Sequence, residues 1–146
     1  MLRFYSVFAC LAVLVVCGSA LADQPLDPQL YFALGTVDKI KVDSTGKLRI
    51  PVECDEVFGC SGTITIVTKA KLLIGNTEKR VTLVRKPFEV GSGKHPAVLR
   101  LDASKRSLVA AARRLAVIVK ADVHDRSANR AKVQLPGTLI APHTKK

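Results

Sequence analysis

The chain contains no tryptophan, one methionine, and aromatic residues at just 5% of its length. Without tryptophan there is no Trp-on-disulfide core of the antibody kind. With Tyr31, Phe32, Phe58 and Phe88 as the aromatics beyond the N-terminal stretch, there is no series of rings on which nucleic-acid bases could stack. Acidic residues are scarce too, 12 against 23 lysines and arginines. No carboxylate pair, nucleophile–base set or metal-ligand cluster stands out, so the sequence offers no basis for an enzyme. Long apolar runs are missing except at the N-terminus, and internal repeats are missing altogether. That excludes solenoids and propellers.

The N-terminal run reads as a targeting segment. Arg3 supplies its positive charge, Val7–Cys17 is an unbroken apolar stretch, Gly18-Ser19 breaks it, and Ala20-Leu21-Ala22 is an A-x-A cleavage signal. A membrane anchor would need roughly 20 apolar residues, more than this run provides. A lipoprotein cysteine at Cys17 would follow the bulky Val15 and Val16, an unfavourable context. The expectation is a signal peptide over 1–22 and a secreted or extracytoplasmic mature protein without a transmembrane span. Residues 23–35 then form an N-terminal arm, 36–136 one domain, and 137–146 a polar C-terminal tail.

Within the domain the apolar period is two. Leu48, Ile50, Val52 and Cys54 alternate with Lys47, Arg49, Pro51 and Glu53, and Ile64 and Ile66 share a face of the β-branched run Thr63–Thr68. Similar alternation marks Val37–Val42, Val81–Val90, Ala97–Leu101, Leu115–Val123 and Ala131–Leu135. Pro51 places its strand at an edge or a bulge, and Pro136-Gly137 ends the last strand. One stretch departs from this period. Asp102 can cap a short helix in which Leu108, Ala111 and Ala112 share a face and Arg113 and Arg114 close the end. About seven short strands with one helical turn predict an all-β antiparallel sandwich. A small closed barrel is the alternative.

The run GKLRIPVEC (Gly46–Cys54), a short loop, and CSGTITI (Cys60–Ile66) resemble the opening of immunoglobulin-like β-sandwich modules of secreted and surface proteins of actinobacteria and relatives. In those modules a helical turn and a D-x-x-G-N hairpin follow. Leu101–Arg114 is similar to the former and Asp125–Asn129 to the latter, with Ala128 where glycine is usual. The resemblance covers roughly Thr36–Pro136. It implies an immunoglobulin-like fold of about seven strands and an extracytoplasmic role, with no general catalytic function.

Three features could carry chemistry. Cys54 and Cys60 lie at facing strand ends in an exported chain and read as a local disulfide rather than a sheet-to-sheet bridge. The C-x-x-C spacing of a redox pair is absent, and zinc would lack ligands. Asp122, His124, Asp125 and Asn129 crowd one loop, where turn chemistry explains them better than calcium does. Gly91–His95 lacks the spacing of a phosphate loop and reads as a flexible connection. The remaining signal is charge, +11 for the chain. Lys39, Lys41, Lys47, Arg49, Lys69 and Lys71, with Arg113 and Arg114, are candidates for a polyanion-binding surface. The sequence thus predicts a non-enzymatic secreted module, structural or adhesive at the cell envelope. Its partners would be anionic envelope polymers or another protein, with no cofactor, metal or specific nucleic acid. The alternative is a basic-face binder of anionic lipid, wall polymer or extracellular nucleic acid. Alkylation of the oxidised, denatured protein should label neither Cys54 nor Cys60; a free thiol at either position would defeat the disulfide.

Overall fold

A computed structural model describes residues 30–142. The targeting segment, most of the N-terminal arm and the last residues of the tail lie outside the described residues. The elements run β1 (Phe32–Leu34), β2 (Ile40–Lys41), β3 (Lys47–Cys54), β4 (Cys60–Thr68), β5 (Leu72–Ile74), β6 (Thr77–Lys79), β7 (Thr82–Val90), β8 (Gly93–Arg100), α1 (Ala103–Ala112), β9 (Arg114–His124) and β10 (Arg130–Ile140). They form a three-stranded sheet, β1-β3-β8, a five-stranded sheet, β2-β10-β9-β4-β7, and a separate β5-β6 hairpin. All pairs are antiparallel except the short β2–β10 contact. The inner rows of the two large sheets meet in one aliphatic core. Leu48, Ile50, Val52 and Leu99 come from the first sheet; Ile64, Ile66, Val117, Val119, Val123 and Leu139 come from the second. The fold is an all-β sandwich with one helix.

Six long strands and four of two or three residues replace the expected seven. Val37, Ile40 and Val42 are buried as their alternation predicts, but just Ile40–Lys41 pairs, because the chain there passes from one sheet to the other. Leu72–Lys79 adds a hairpin that pairs with neither large sheet. The N-terminal arm also contributes, since Phe32–Leu34 pairs with Val52–Cys54. Phe32 packs against Phe88, ring centres 5.7 Å apart.

The prolines sit differently from expectation. β3 is the central strand of its sheet, and Pro51 lies opposite Pro96 of β8. The Pro51 carbonyl accepts from the Gly35 N–H at 2.8 Å, so its backbone polar groups point towards β1, just past the last β1 pair. The missing donor therefore interrupts no ladder. β10 runs through Pro136 and Gly137 to Ile140, which moves the tail boundary past Ile140. Pro136 is tolerated because β2 reaches only Leu139 and Ile140, leaving the outer side of β10 unpaired at the proline. Gly137 is required there, since a Cβ would come within 2.5 Å of the Val37 carbonyl.

β7 carries a bulge. Its register slips at Ile66/Val67, where Leu83 is the unpaired extra residue. The slip reverses the alternation, so Leu83 is buried while Arg85 turns to solvent instead of sharing its face. In α1 the buried contact is Val109, with Leu108 half-buried; Ala111 and Ala112 are exposed, contrary to the face expected. Arg114 opens β9 rather than closing the helix, and Arg113 is the C-cap with φ 57°. Gly91–Gly93 is a tight link between the sheets, with Gly93 at φ 97°. The disulfide joins Cys54, the last residue of β3, to Cys60, the first of β4, with Cα atoms 6.1 Å apart. Although local in sequence, it connects the two sheets. By loop-closure entropy it contributes on the order of 2 kcal/mol.

At the far end of β4, Thr68 is the buried polar residue of the sandwich. Its Oγ1 accepts from the Val81 N–H at 2.9 Å and its own N–H donates to the Val81 carbonyl at 2.9 Å, clamping the base of the excursion that carries β5-β6.

Three aspartates organise the loops. Asp43 accepts from the Thr45 hydroxyl and from the Thr45 and Lys47 amides. Asp102 caps α1, accepting from the Lys105 amide at 2.8 Å and the Ser104 hydroxyl at 2.7 Å. Asp125 accepts from both the amide and the side chain of Asn129. The main causes that hold their pKa values below 3.8 are the Thr45 hydroxyl for Asp43, the Lys105 amide for Asp102 and the Asn129 side chain for Asp125. A lowered folded-state pKa means that the unfolded chain binds more protons in acid. The stabilisation is complete above the ordinary value and is lost as pH falls below about 3.8 through the folded-state values. Asp102→Asn keeps a capping side chain but cannot protonate. Its melting temperature should fall less between pH 4 and pH 2 than that of the wild type. The Asp125 loop closes with Ala128 at φ 63°, where glycine would be unstrained. Ala128→Gly should therefore stabilise the protein by roughly 0.5–1 kcal/mol in urea unfolding, whereas a neutral or destabilising effect would show no strain there.

Candidate functional site

Once the inner rows of β4 and β9 are buried, the period of two places their alternate residues on the outer face of the five-stranded sheet. The register aligns these residues in rows across β10, β9, β4 and β7. One row is Arg130–His124–Ser61–Glu89. The next is Lys132–Asp122–Thr63–Pro87, and the third Gln134–Lys120–Thr65–Arg85. These rows line a trough of about 1120 Å³. Its floor is the half-buried hydroxyl ladder Ser61, Thr63, Thr65; the charged groups beside the ladder are exposed. Arg85, Lys120, Arg130 and Lys132 outnumber the carboxylates Asp122 and Glu89. Lys132 and Asp122 approach to 4.0 Å, an exposed pair of little energetic weight.

The floor depends on a close strand approach. A Cβ on Gly62 would lie 2.2 Å from the Asp122 carbonyl, so this position admits glycine alone without shifting β9 against β4. Thr68 spends its hydroxyl on Val81. Among the described residues, no side-chain hydrogen bond occupies the hydroxyls of Ser61, Thr63 or Thr65.

The eight basic residues singled out from sequence divide between several surfaces. Lys39, Lys41, Lys47 and Arg49 come together around a shallow recess of about 480 Å³ that also includes Asp43. Lys47 and Arg49 face outward from the three-stranded sheet, opposite Arg100 and Val98. Lys41 and Arg114 flank Ile140 in one row at the lower end of the five-stranded sheet. Lys69 adjoins them, its N–H donating to the Ala116 carbonyl at 2.9 Å. Lys71 lies in the connection to β5, and Arg113 caps the helix. Lys69 and Arg114 lie at the far end of the five-stranded sheet, separated from the trough by the uncharged row Pro136–Ile118–Val67–Thr82; Lys41 stands at the seam with Lys47 and Arg49, which face out from the other sheet.

The sequence reading missed the trough itself. Thr63 and Thr65 looked like strand formers, and the bulge that turns Arg85 to this face left no mark in local pattern. Lys120 and Asp122 are outward residues of β9, and their neighbours on β4 and β10 were not predictable from local pattern. Asp122 and His124 belong to this face. Asp125 and Asn129 do not, because they bind each other in the loop. Beyond the first row, the disulfide loop meets the β9–β10 loop where Arg126 stands over the Phe58 ring, 5.1 Å from its centre. Among the described residues, no group of three or more His, Cys, Asp or Glu side chains is placed to hold a metal ion, and no helix is long and apolar enough to cross a membrane.

No family model matches the chain, and no curated protein matches it by sequence. Among solved structures it is similar to a GH3 beta-glucosidase of Bifidobacterium adolescentis, with TM-score 0.38, 11% identity, and coverage of 73% of this chain and 17% of that one. It is also similar to a beta-glucosidase from Listeria innocua solved with glucose, with TM-score 0.31, 6% identity, and coverage of 75% and 16%. The chain spans about a sixth of the length of either enzyme. Likenesses this slight carry no argument about activity.

Proposed function

We propose that the chain is a secreted, non-enzymatic module of immunoglobulin-like type that adheres to polyanions of the cell envelope through the outer face of its five-stranded sheet. The observation that carries this reading is the register. It gathers Arg85, Lys120, Arg130 and Lys132 around one trough. Cations spaced over a concave surface raise the local concentration of an anionic polymer and hold it by release of its counterions. Export is supported by the N-terminal targeting pattern and by the disulfide.

The non-enzymatic reading has its own support. Ser61 and His124 stand opposite each other with Asp122 nearby, which superficially resembles a nucleophile, base and carboxylate. Yet β4 pairs with β7 on one side and β9 on the other. Its backbone amides are engaged in ladders and cannot stabilise an oxyanion. No hydrogen bond links Ser61 to His124 among the described residues.

The mature protein should be retained on immobilised heparin at low salt and released at moderate salt. Lys120→Gln with Lys132→Gln should weaken retention and reduce the slope of log affinity against log salt by about one to two. Lys94→Gln, on the other sheet and paired with Glu53, should change it much less. Retention that is absent at low salt, or equally sensitive to both substitutions, would overturn this reading.

A further inference from the structure

We infer that the polyanion held in the trough is an acidic polysaccharide, a chain whose repeating unit carries free hydroxyls beside its acid groups. This inference rests on the polyanion reading of the same face and adds the class of ligand. Three observations carry it.

The first is the floor. Ser61, Thr63 and Thr65 present hydroxyls along one strand at intervals of about 7 Å. They are half-buried and unclaimed by any other side chain among the described residues. A hydroxyl donates one hydrogen bond and accepts two, so this ladder can pair with sugar hydroxyls as well as with anions. A surface working by charge alone has no use for it.

The second is Asp122, which stands between Lys132 and Thr63 in the middle row. A carboxylate accepts hydrogen bonds and donates none. Facing a bare polyphosphate it is repulsive. Facing a sugar ring it accepts from the hydroxyls while Lys120, Lys132 and Arg85 hold the acid groups. Gln134, opposite Lys120, adds a neutral group that both donates and accepts.

The third is shape and apolar content. The trough is concave; its lining aromatic, Phe88, is half-buried with its ring against Phe32, and the exposed aromatics Tyr31 and Phe58 belong to the disulfide-loop end. A bilayer surface does not enter a concavity, and single-stranded nucleic acid would find no stacking platform on the face.

The test measures binding of the full mature protein to polygalacturonate, to inorganic polyphosphate and to phosphatidylglycerol vesicles, at equal ionic strength and matched anionic charge. Polygalacturonate should bind most tightly. Thr63→Val with Thr65→Val leaves charge and β-branching unchanged and should weaken polygalacturonate binding about three- to tenfold. Polyphosphate, which can only accept from these hydroxyls, should lose clearly less than polygalacturonate does. Asp122→Ala should weaken polygalacturonate binding and strengthen polyphosphate binding, opposite signs that no purely electrostatic surface gives. Ser61→Ala provides a second, milder removal of a floor hydroxyl, and melting curves establish that each variant is folded. Equal or tighter binding of polyphosphate or vesicles, or parallel changes for both polymers, would overturn the inference and leave the polyanion reading intact. Failure of all three ligands to bind would overturn both.

Discussion

Burial of the inner rows of β4 and β9 is the constraint on which the rest of the protein depends. Ile64, Ile66, Val117, Val119, Ala121 and Val123 lie between the two sheets with almost no exposure. A one-residue slip in either strand would move this entire set to solvent and cost several buried aliphatic side chains, each contributing about 1.5–3 kcal/mol. The register is therefore strongly specified. The same register fixes the outer face, because every residue between two core residues must point the other way. The trough is thus the reverse side of the core, and its geometry inherits the rigidity of the core packing.

The two ends of the sandwich are secured differently. At one end a covalent bridge ties β3 to β4 and thereby one sheet to the other. The adjoining β9–β10 loop is closed by Asp125 and Asn129 and touches the disulfide loop through Arg126 and Phe58. At the other end α1 makes the crossing from β8 to β9, capped by Asp102 and anchored by Val109. Core aromatics are few, and Phe32 on Phe88 is the ring contact. Cohesion rests mainly on Leu, Ile and Val from both layers.

Sheet edges carry their own protection. β8 is an edge strand and contains Pro96; β7 is the other sheet's edge and contains Pro87. The register of β7 also sets Lys86 opposite the buried Ile64, placing a charge on the core side of an edge strand. Each device discourages pairing with a second chain.

Much of the fold was legible in local pattern. Alternation around Leu48–Cys54 and Leu115–Val123 identified strands, Asp102 identified the helix start, and Asp125–Asn129 identified a hairpin that keeps its left-handed residue even with Ala128 in place of glycine. The bulge at Leu83 and the continuation of β10 through Pro136 were not legible, because each depends on what the neighbouring strand does. The candidate site was legible in part. Lys and Arg were visible as charge, yet Lys47 and Arg114 proved to face opposite sides of the sandwich. By itself the sequence determined which residues alternate, where the chain turns and that the surface is basic, since these follow from side-chain chemistry over a few residues. Only the tertiary structure decided which outer residues become neighbours, because cross-strand proximity joins positions as distant in the chain as Arg85, Thr65, Lys120 and Gln134.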